Sequence, residues 1–486
     1  MSRQLPTRCC AGERLWARAS RHCHEAPATR RMLSSVDVAV VGAGITGLAA
    51  AHGLPADLSV AVIEADPQPG GKVRSASLAG IPVECGPDSF LARGSSVAGL
   101  CSELGLGDRL VAPATTRAAI WSRGRPRPLP EGMQLGVPSR PAALVASGIL
   151  SVPGALRAGL DLVLPATPVS ASTSVAEALE RRFGREARER LIDPLLGGIY
   201  AGDTSQLALA DTLPELYALL SSKRSLLLAL RRRRPPAGPV FQTLVGGLGQ
   251  LVDALAASLP GLQLATEVTS LRKSAGGRFE IATSNGAISA GAVLLATPAF
   301  AAAKLLAGLD VRAAELLTAI PYASVATIAL AYPRPRLRVT GTSGFLVPPN
   351  EGRLVTAVSW LSEKWAHLGT DQVALLRCSV GRSSDGRWRD LDDDRLLERV
   401  RAELAELAGV RAEPLATCIT RWESALPQYQ AGHGARVMEL ESRLASHPGL
   451  LLAGAAYRGV GIAACLAQAG RAVETLASNF HGHPVG

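Results

Sequence analysis

The stretch on which the fold turns is Val36-Asp37-Val38-Ala39-Val40-Val41-Gly42-Ala43-Gly44-Ile45-Thr46-Gly47-Leu48-Ala49-Ala50-Ala51-His52-Gly53-Leu54. Val36–Val41 reads as a short buried strand, and Leu48–Leu54 as the start of a helix. Between them the first glycine allows the tight turn, the second lets a pyrophosphate approach the backbone, and the third lets helix and strand pack closely. A bound phosphate would then sit on the helix N-terminus. The pattern alone is weak. It gains weight from a second strand, Leu58–Ile63, ending in Glu64-Ala65, where a carboxylate is placed to meet a ribose hydroxyl pair. The bland alternative is a glycine turn that holds nothing. The order strand, glycines, helix, strand, acid argues against it and for an α/β, Rossmann-like dinucleotide domain.

The fingerprint does not separate NAD from FAD. Downstream lies Asp66-Pro67-Gln68-Pro69-Gly70-Gly71-Lys72-Val73-Arg74-Ser75, a second glycine pair with Lys72, Arg74 and Ser75 as donors. It would let the chain run close to the far part of an extended dinucleotide, which favours FAD. Near the other end, Leu450–Leu452 reads as a strand and Ala453-Gly454-Ala455 as a turn, and Gly459-Val460-Gly461-Ile462 opens a helix running to about Ala477. That helix N-terminus would set positive potential beside a flavin ring; a plain C-terminal helix on the sheet is the competing reading. Because both ends contribute, the cofactor domain must be discontinuous.

Composition bounds the rest. With 486 residues, 47% hydrophobic and 19% charged, the chain is too long and apolar for a disordered or disulfide-stapled protein, and two or three globular domains are expected. The formal charge of +10 is not spread evenly. Residues 1–34 hold seven Arg and two Glu, the run Arg231–Arg234 adds four charges, and the remainder is close to neutral. Aromatic residues are only 4%, so a nucleic-acid-binding body is not expected. Residues 1–34 read as an Arg-rich transit segment or a translated upstream stretch ahead of Met32, and either way as outside the fold. Arg231–Arg234 before Pro235-Pro236 reads as a solvated loop rather than a docking patch.

The eight cysteines, Cys9, Cys10, Cys23, Cys85, Cys101, Cys378, Cys418 and Cys465, show no metal-ligand or redox spacing outside the first segment. They read as scattered buried thiols of a reducing, cytoplasmic compartment, with no metal. Pro141–Leu156 and Asn285–Ala303 approach membrane-span length, yet carry proline and small residues and read as buried elements. No spanning helix is expected, which leaves peripheral membrane contact open. No heptad or self-complementary motif speaks to oligomeric state.

Taken together, Gly42–Gly47, Glu64, Gly70-Gly71, Gly86-Pro87-Asp88-Ser89-Phe90-Leu91, Asp193–Asp203, Phe241–Leu248, Arg421–Tyr429 with His433, and Gly454–Ile462 resemble the FAD-dependent porphyrinogen oxidases of haem biosynthesis. The bacterial soluble branch acting on coproporphyrinogen III is the most similar. The glycine fingerprint is shared with amine oxidases and phytoene desaturases; Gly198-Ile199-Tyr200-Ala201-Gly202-Asp203 and Pro427-Gln428-Tyr429 with Gly432-His433 are far more specific.

The resemblance implies a discontinuous FAD domain (35–92, 240–300 and 415–480), a helical lobe (97–215) and an inserted mixed-sheet substrate domain (216–239 and 301–414). It implies that Gly42, Ala43, Gly44, Ile45, Thr46, Gly47, Glu64, Ala65, Gly71, Lys72, Gly86, Pro87, Asp88, Ser89, Val268, Gly454, Val460, Gly461 and Ile462 contact the cofactor, with Val268 on the adenine side. Arg93 is the candidate for a substrate propionate, and Ile199 and Tyr200 are candidates for the wall facing the macrocycle, although Tyr200 reads equally as core. His433 reads as a structural hydrogen bond or a substrate contact, and Trp360 and Trp365 as packing.

Local reading adds helices at Val175–Arg182 and Arg185–Ile192, no good strand between Val97 and Leu219, and strands at Ala323–Ala331, Arg353–Trp360 and Val373–Gly381. The implied reaction is removal of hydride equivalents from a porphyrinogen in three two-electron rounds, with O2 as acceptor giving hydrogen peroxide. It needs no protein nucleophile, which fits a sequence with no triad or paired-carboxylate motif. The alternatives are protoporphyrinogen IX as substrate, another amine or desaturase substrate, and a non-catalytic FAD and porphyrin binder.

Overall fold

A computed structural model describes residues 35–92, 96–166, 168–233, 238–337 and 341–481. The leader (1–34) and Arg93 lie outside the described residues, as does Arg234. Strand β1 (Ser35–Val41) enters the glycine turn, helix α1 (Ile45–Gly53) leaves it, and strand β2 (Val60–Ile63) returns parallel to β1. The sheet continues through Leu262–Gln263 beside β2, and through Gly286–Leu295, parallel to β1. Beyond Gly286–Leu295 come the antiparallel strands Phe279–Thr283 and Val268–Lys273, and Leu450–Leu452 pairs with its far end.

Alternation along β1 explains the two layers around this sheet. Val38 and Val40 face a core with Leu48 of α1, Leu251 and Leu255 of the helix Gly249–Ala257, and Leu466 and Leu476 of the C-terminal helix Ile462–His481. Ala39 and Val41 face the other side, against the helices Ala299–Leu306, Val311–Thr318 and His433–Leu444. Each fully buried Leu or Val contributes roughly 1.5–3 kcal/mol of apolar transfer.

The second sheet runs, in order, Ala416–Pro427, Tyr322–Pro333, Val373–Val380, Val355–Ser359, Gly344–Leu346, Ala119–Ser122 and Arg125–Pro128. Helix Asp393–Ala408 covers one face, with Asp392 capping it by accepting from the Arg395 amide. The hairpin Ser75–Leu78/Ile81–Glu84 packs on the other, through Leu78 and Val83 against Ala329, Ala331, Leu375 and Cys418.

Several boundaries differ from the sequence reading. Ala119–Ser122 and Arg125–Pro128 are strands of the second sheet, inside the stretch read as strandless. Arg123 (φ 56°) and Gly124 (φ 81°) form their turn, and both central residues of such a two-residue hairpin need positive φ. An arginine there hid the signal, as did Pro126 and Pro128, which only an edge strand tolerates. Ala416–Pro427 pairs into the second sheet rather than the first, because its neighbour is Tyr322–Pro333. Helices Ala299–Leu306 and Val311–Thr318 cover the first sheet, although 301–414 was read as substrate domain. Leu216, Leu220, Leu226, Leu227 and Leu230 pack into the helical lobe with Leu179, Phe183 and Leu191 rather than with the substrate sheet.

Val145, Val152 and Leu156 are exposed while Leu144, Ile149, Leu150 and Ala155 are buried, so Pro141–Leu156 is only one-sidedly buried; in Asn285–Ala303 the run Ala292–Leu295 is fully buried, but Gly286, Ala287 and Phe300 are exposed. Arg231 and Arg232 end the helix Leu226–Arg232, and Arg233 pairs with Glu215. Among the described residues no helix is long and apolar enough to cross a membrane.

Candidate functional site

The three glycines of the first turn divide the labour expected of them. Gly42 has φ 102°, and a Cβ there would lie 3.0 Å from the Ala296 carbonyl oxygen. A Cβ on Gly47 would lie 1.9 Å from the Gly42 carbonyl oxygen, so only glycine lets α1 approach. At Gly44 nothing lies within 4 Å of the missing Cβ. That open space, above the N-terminus of α1, is where a pyrophosphate fits. Ile45 and Thr46 are buried at the helix start.

Glu64 lies against this turn. Its Oε2 accepts from the Ala43 amide at 2.6 Å and its Oε1 from the Asp66 amide at 2.9 Å, which leaves lone pairs on both oxygens for ribose hydroxyls. Ala65 beside it is exposed. The second glycine pair closes on the first: the Gly70 amide donates to the Ala43 carbonyl at 2.8 Å, and a Cβ on Gly71 (φ 57°) would lie 3.5 Å from Gly44 Cα. Lys72 has no ion-pair partner among the described residues, and burial pulls its ammonium below the usual lysine value. Lys72 is half-buried, and a partly desolvated cation without a carboxylate gains from an anion beside it. Open space at Gly44 and an uncompensated Lys72 both fit an anionic dinucleotide.

Gly86-Pro87-Asp88-Ser89 crosses between the sheets. Gly86 is close-packed, since a Cβ would lie 2.0 Å from the Lys72 carbonyl oxygen. Asp88 takes Lys364 Nζ at 2.7 Å, Arg377 at 3.5 Å and the Ser89 hydroxyl at 3.1 Å. Burial opposes its charge, but Lys364 and Arg377 outweigh it and hold the carboxyl well below the usual range. Arg377 also donates to the Gly86 carbonyl at 2.9 Å. Sequence reading missed both cations. Arg377 was findable: a lone arginine inside Val373-Ala374-Leu375-Leu376-Arg377-Cys378 must be paired if the strand is buried. Lys364 carried no such signal. Glu84, also missed, accepts from the Leu248 amide at 2.5 Å and the Ser75 hydroxyl at 2.9 Å, and burial pushes its carboxyl up to about 7.

The C-terminal loop is held by the motif that contains Tyr429. The Tyr429 hydroxyl donates to the Ala455 carbonyl at 2.6 Å and accepts from the Gly459 amide at 2.7 Å. His433 stacks on the Tyr429 ring at 3.9 Å between centroids, and its Nε2 bonds the Tyr457 carbonyl at 2.9 Å. His433 thus makes a structural hydrogen bond to this loop. Gly454 (φ 136°) brings this loop against Thr46, the Cys465 thiol of the C-terminal helix bonds Thr46, and Gly461 is exposed just before Ile462. Val460 packs partly into the helical lobe. The starts of α1 and of the C-terminal helix thus lie side by side. Val268, by contrast, is half-buried at the start of the outermost strand of the first sheet.

Of the wall candidates, Ile199 is exposed and Tyr200 is buried, with its hydroxyl 3.4 Å from the Thr212 carbonyl and its ring 5.5 Å from that of Tyr429. Tyr200 is core, then, and Ile199 is the one of the pair with a free face. The two specific motifs are joined directly: Gln428 Nε2 donates to the Tyr200 carbonyl at 2.8 Å, and the Ala208 amide to the Tyr429 carbonyl at 2.7 Å. Trp360 and Trp365 are buried packing. Among the described residues no cluster of His, Cys, Asp and Glu could hold a metal.

Known proteins place this arrangement. Residues 45–477 match the flavin containing amine oxidoreductase family. The coproporphyrinogen III oxidase of Bacillus subtilis is 36% identical over 459 residues, 90% of this chain and 97% of that protein. The Mycobacterium leprae enzyme of the same name is 34% identical, over 91% of this chain and 99% of its own. A chloroplastic protoporphyrinogen oxidase of Oryza sativa is 30% identical over 91% and 88%. Among solved structures, a putative protoporphyrinogen oxidase from Exiguobacterium sp. 255-15 superposes with a TM-score of 0.82 at 30% identity, covering 92% of this chain and all of that one. Putrescine oxidase, at 19% identity and a TM-score of 0.68, shares the fold. FAD is the cofactor these residues fit, and the chain belongs to the flavin containing amine oxidoreductases and, within them, to the coproporphyrinogen III oxidase family.

Proposed function

We propose that the protein oxidises coproporphyrinogen III to coproporphyrin III, with O2 as electron acceptor and hydrogen peroxide as by-product. The observation that carries the reading is the bonding of the two specific motifs to each other and to the flavin-side loop, through Gln428, Tyr200, Tyr429 and Gly459. FAD, when bound, supplies a two-electron acceptor that dioxygen regenerates. The chain's part is to bind and orient. Gly44 and the start of α1 would take the pyrophosphate, Glu64 the ribose, and Lys72 negative charge, while the start of the C-terminal helix at Gly461-Ile462 would offer its amides to the ring.

Ile199 is proposed to wall the macrocycle and Arg93 to meet a propionate. Four propionates on coproporphyrinogen against two on protoporphyrinogen make pocket cations the basis of choice. Purified protein showing flavin absorbance near roughly 380 and 450 nm, and turning over coproporphyrinogen III at least about tenfold more efficiently than protoporphyrinogen IX, is the expected result. A preference for protoporphyrinogen would favour the chloroplast enzyme's substrate instead, and a colourless folded protein would sink the flavin assignment.

A further inference from the structure

Cys85 directly follows the strand Ile81–Glu84 and precedes the Gly86–Ser89 crossing. Its carbonyl is held twice, by the Thr327 hydroxyl at 2.7 Å and by Trp422 Nε1 at 2.9 Å. Trp422 belongs to Ala416–Pro427, where unbroken register from Ala416 to Trp422 puts Cys418, Thr420 and Trp422 on one face. Cys85 lies against that face, with its thiol in hydrogen-bond contact with Cys418 and Thr420. Cys418 is buried beside Leu78 and Val83, while Cys85 is half-buried.

The contact with Cys418 shifts the Cys85 thiol below its ordinary value against the opposing effect of burial, helped by Thr420 and by Arg377 and Arg74 nearby. Burial pushes three of the other described thiols the opposite way: Cys101 up to about 11, and Cys378 and Cys465 also upward. One of these five thiols therefore combines access, thiolate character and a second sulfur in reach.

We propose that Cys85 and Cys418 are a peroxide-oxidised thiol pair that closes to a disulfide. The Cys85 thiolate attacks one oxygen of hydrogen peroxide, the O–O bond breaks, and the departing hydroxide takes up a proton as water, leaving Cys85 as a sulfenic acid. Cys418 sulfur then attacks Cys85 sulfur; the S–S bond forms, the S–O bond breaks, and the Cys418 proton leaves with the oxygen in a second water. Two thiols lose two electrons and two protons, and one peroxide becomes two waters. The bond would pin the cofactor-side crossing to the substrate sheet. Peroxide is the by-product of an oxygen-dependent flavin oxidase, but the pair's chemistry does not depend on which substrate is oxidised.

The test treats the full-length holoprotein with hydrogen peroxide, alkylates the remaining thiols and maps the peptides by mass. A Cys85–Cys418 cross-link is expected, two hydrogens lighter than the separate peptides and reversed by dithiothreitol. It should appear at least about tenfold faster than any oxidation of Cys101, Cys378 or Cys465. In C418S, a 1,3-diketone should trap Cys85 as the sulfenic acid; in C85S, Cys418 should remain alkylatable. Recovery of Cys85 and Cys418 as separate alkylated peptides after the buried thiols have reacted would overturn the proposal. So would a wild-type protein in which Cys85 stops at the sulfenic acid.

Discussion

The Tyr429 hydroxyl accepts from the Gly459 amide at 2.7 Å while donating to the Ala455 carbonyl at 2.6 Å, so one phenol closes both ends of the loop that leads into the C-terminal helix. Burial raises its ionisation far above the tyrosine range, which keeps the donor in place at any working pH.

Replacing Tyr429 with Phe keeps the ring stack and strips both hydrogen bonds, leaving two loop groups to find new partners. The expected cost is about 1–3 kcal/mol. Because the loop flanks the start of the C-terminal helix, FAD should also dissociate faster, as read by the rise in free-flavin fluorescence on dilution. Unchanged FAD release together with unchanged thermal unfolding would show that the loop does not rely on this phenol.

Gly44 and Gly47 separate cofactor binding from folding. A methyl on Gly47 meets the Gly42 carbonyl and should prevent the turn from closing, giving little folded protein. Gly44 (φ −69°) has open space, so Gly44→Ala should leave the melting temperature of the FAD-free protein nearly unchanged. Its FAD affinity should fall at least about tenfold, because the methyl fills the space a pyrophosphate needs. Titration of apoprotein with FAD checks this, and unaltered affinity would move the pyrophosphate elsewhere.

Asp88→Asn removes the charge between Lys364 and Arg377. Leaving two part-buried cations facing a neutral amide should cost about 3–5 kcal/mol. Asp88 is held below its unfolded value, so its stabilisation is present above the ordinary Asp range and is lost as pH falls below about 4. Urea unfolding at pH 7 and at about pH 2.5, below the ordinary Asp range, should show a gap between wild type and variant that narrows in acid.

Glu84 has the opposite sign. Its folded pKa is raised to about 7 from the ordinary glutamate value of 4.5, so its protonated form stabilises fully below about 4.5 and the contribution is lost as pH rises through 7. The shift corresponds to up to about 3 kcal/mol. Glu84→Gln, which can still accept from Leu248, should flatten the stability profile between pH 5.5 and 8. A parallel loss at both pH values would show that the carboxyl is not titrating there.

The cofactor half was legible because its signals are local. Gly42, Gly44 and Gly47 impose a backbone conformation and two close approaches that neighbouring residues alone dictate, and Glu64 follows from the length of one βα crossover. The strands Tyr322–Pro333 and Val373–Val380 declared themselves by apolar, β-branched composition. The hairpin at Arg123-Gly124 did not, because its turn chemistry is unusual and its prolines are tolerated only at a sheet edge. The motif leaves Tyr200 open between wall and core, and its packing against Tyr429 makes it core.

Sequence alone determined the Rossmann-like turn, whose glycine spacing is itself the physical constraint, and pointed to the family and to contributions from both ends of the chain to one sheet. Tertiary structure decided which charges meet. Lys364 reaches across 276 positions to Asp88, and Cys85 meets Cys418 because the hairpin Ser75–Leu78/Ile81–Glu84 packs on the face of the second sheet that carries Cys418. Contacts of that kind depend on sheet order and register, which no local run of residues encodes.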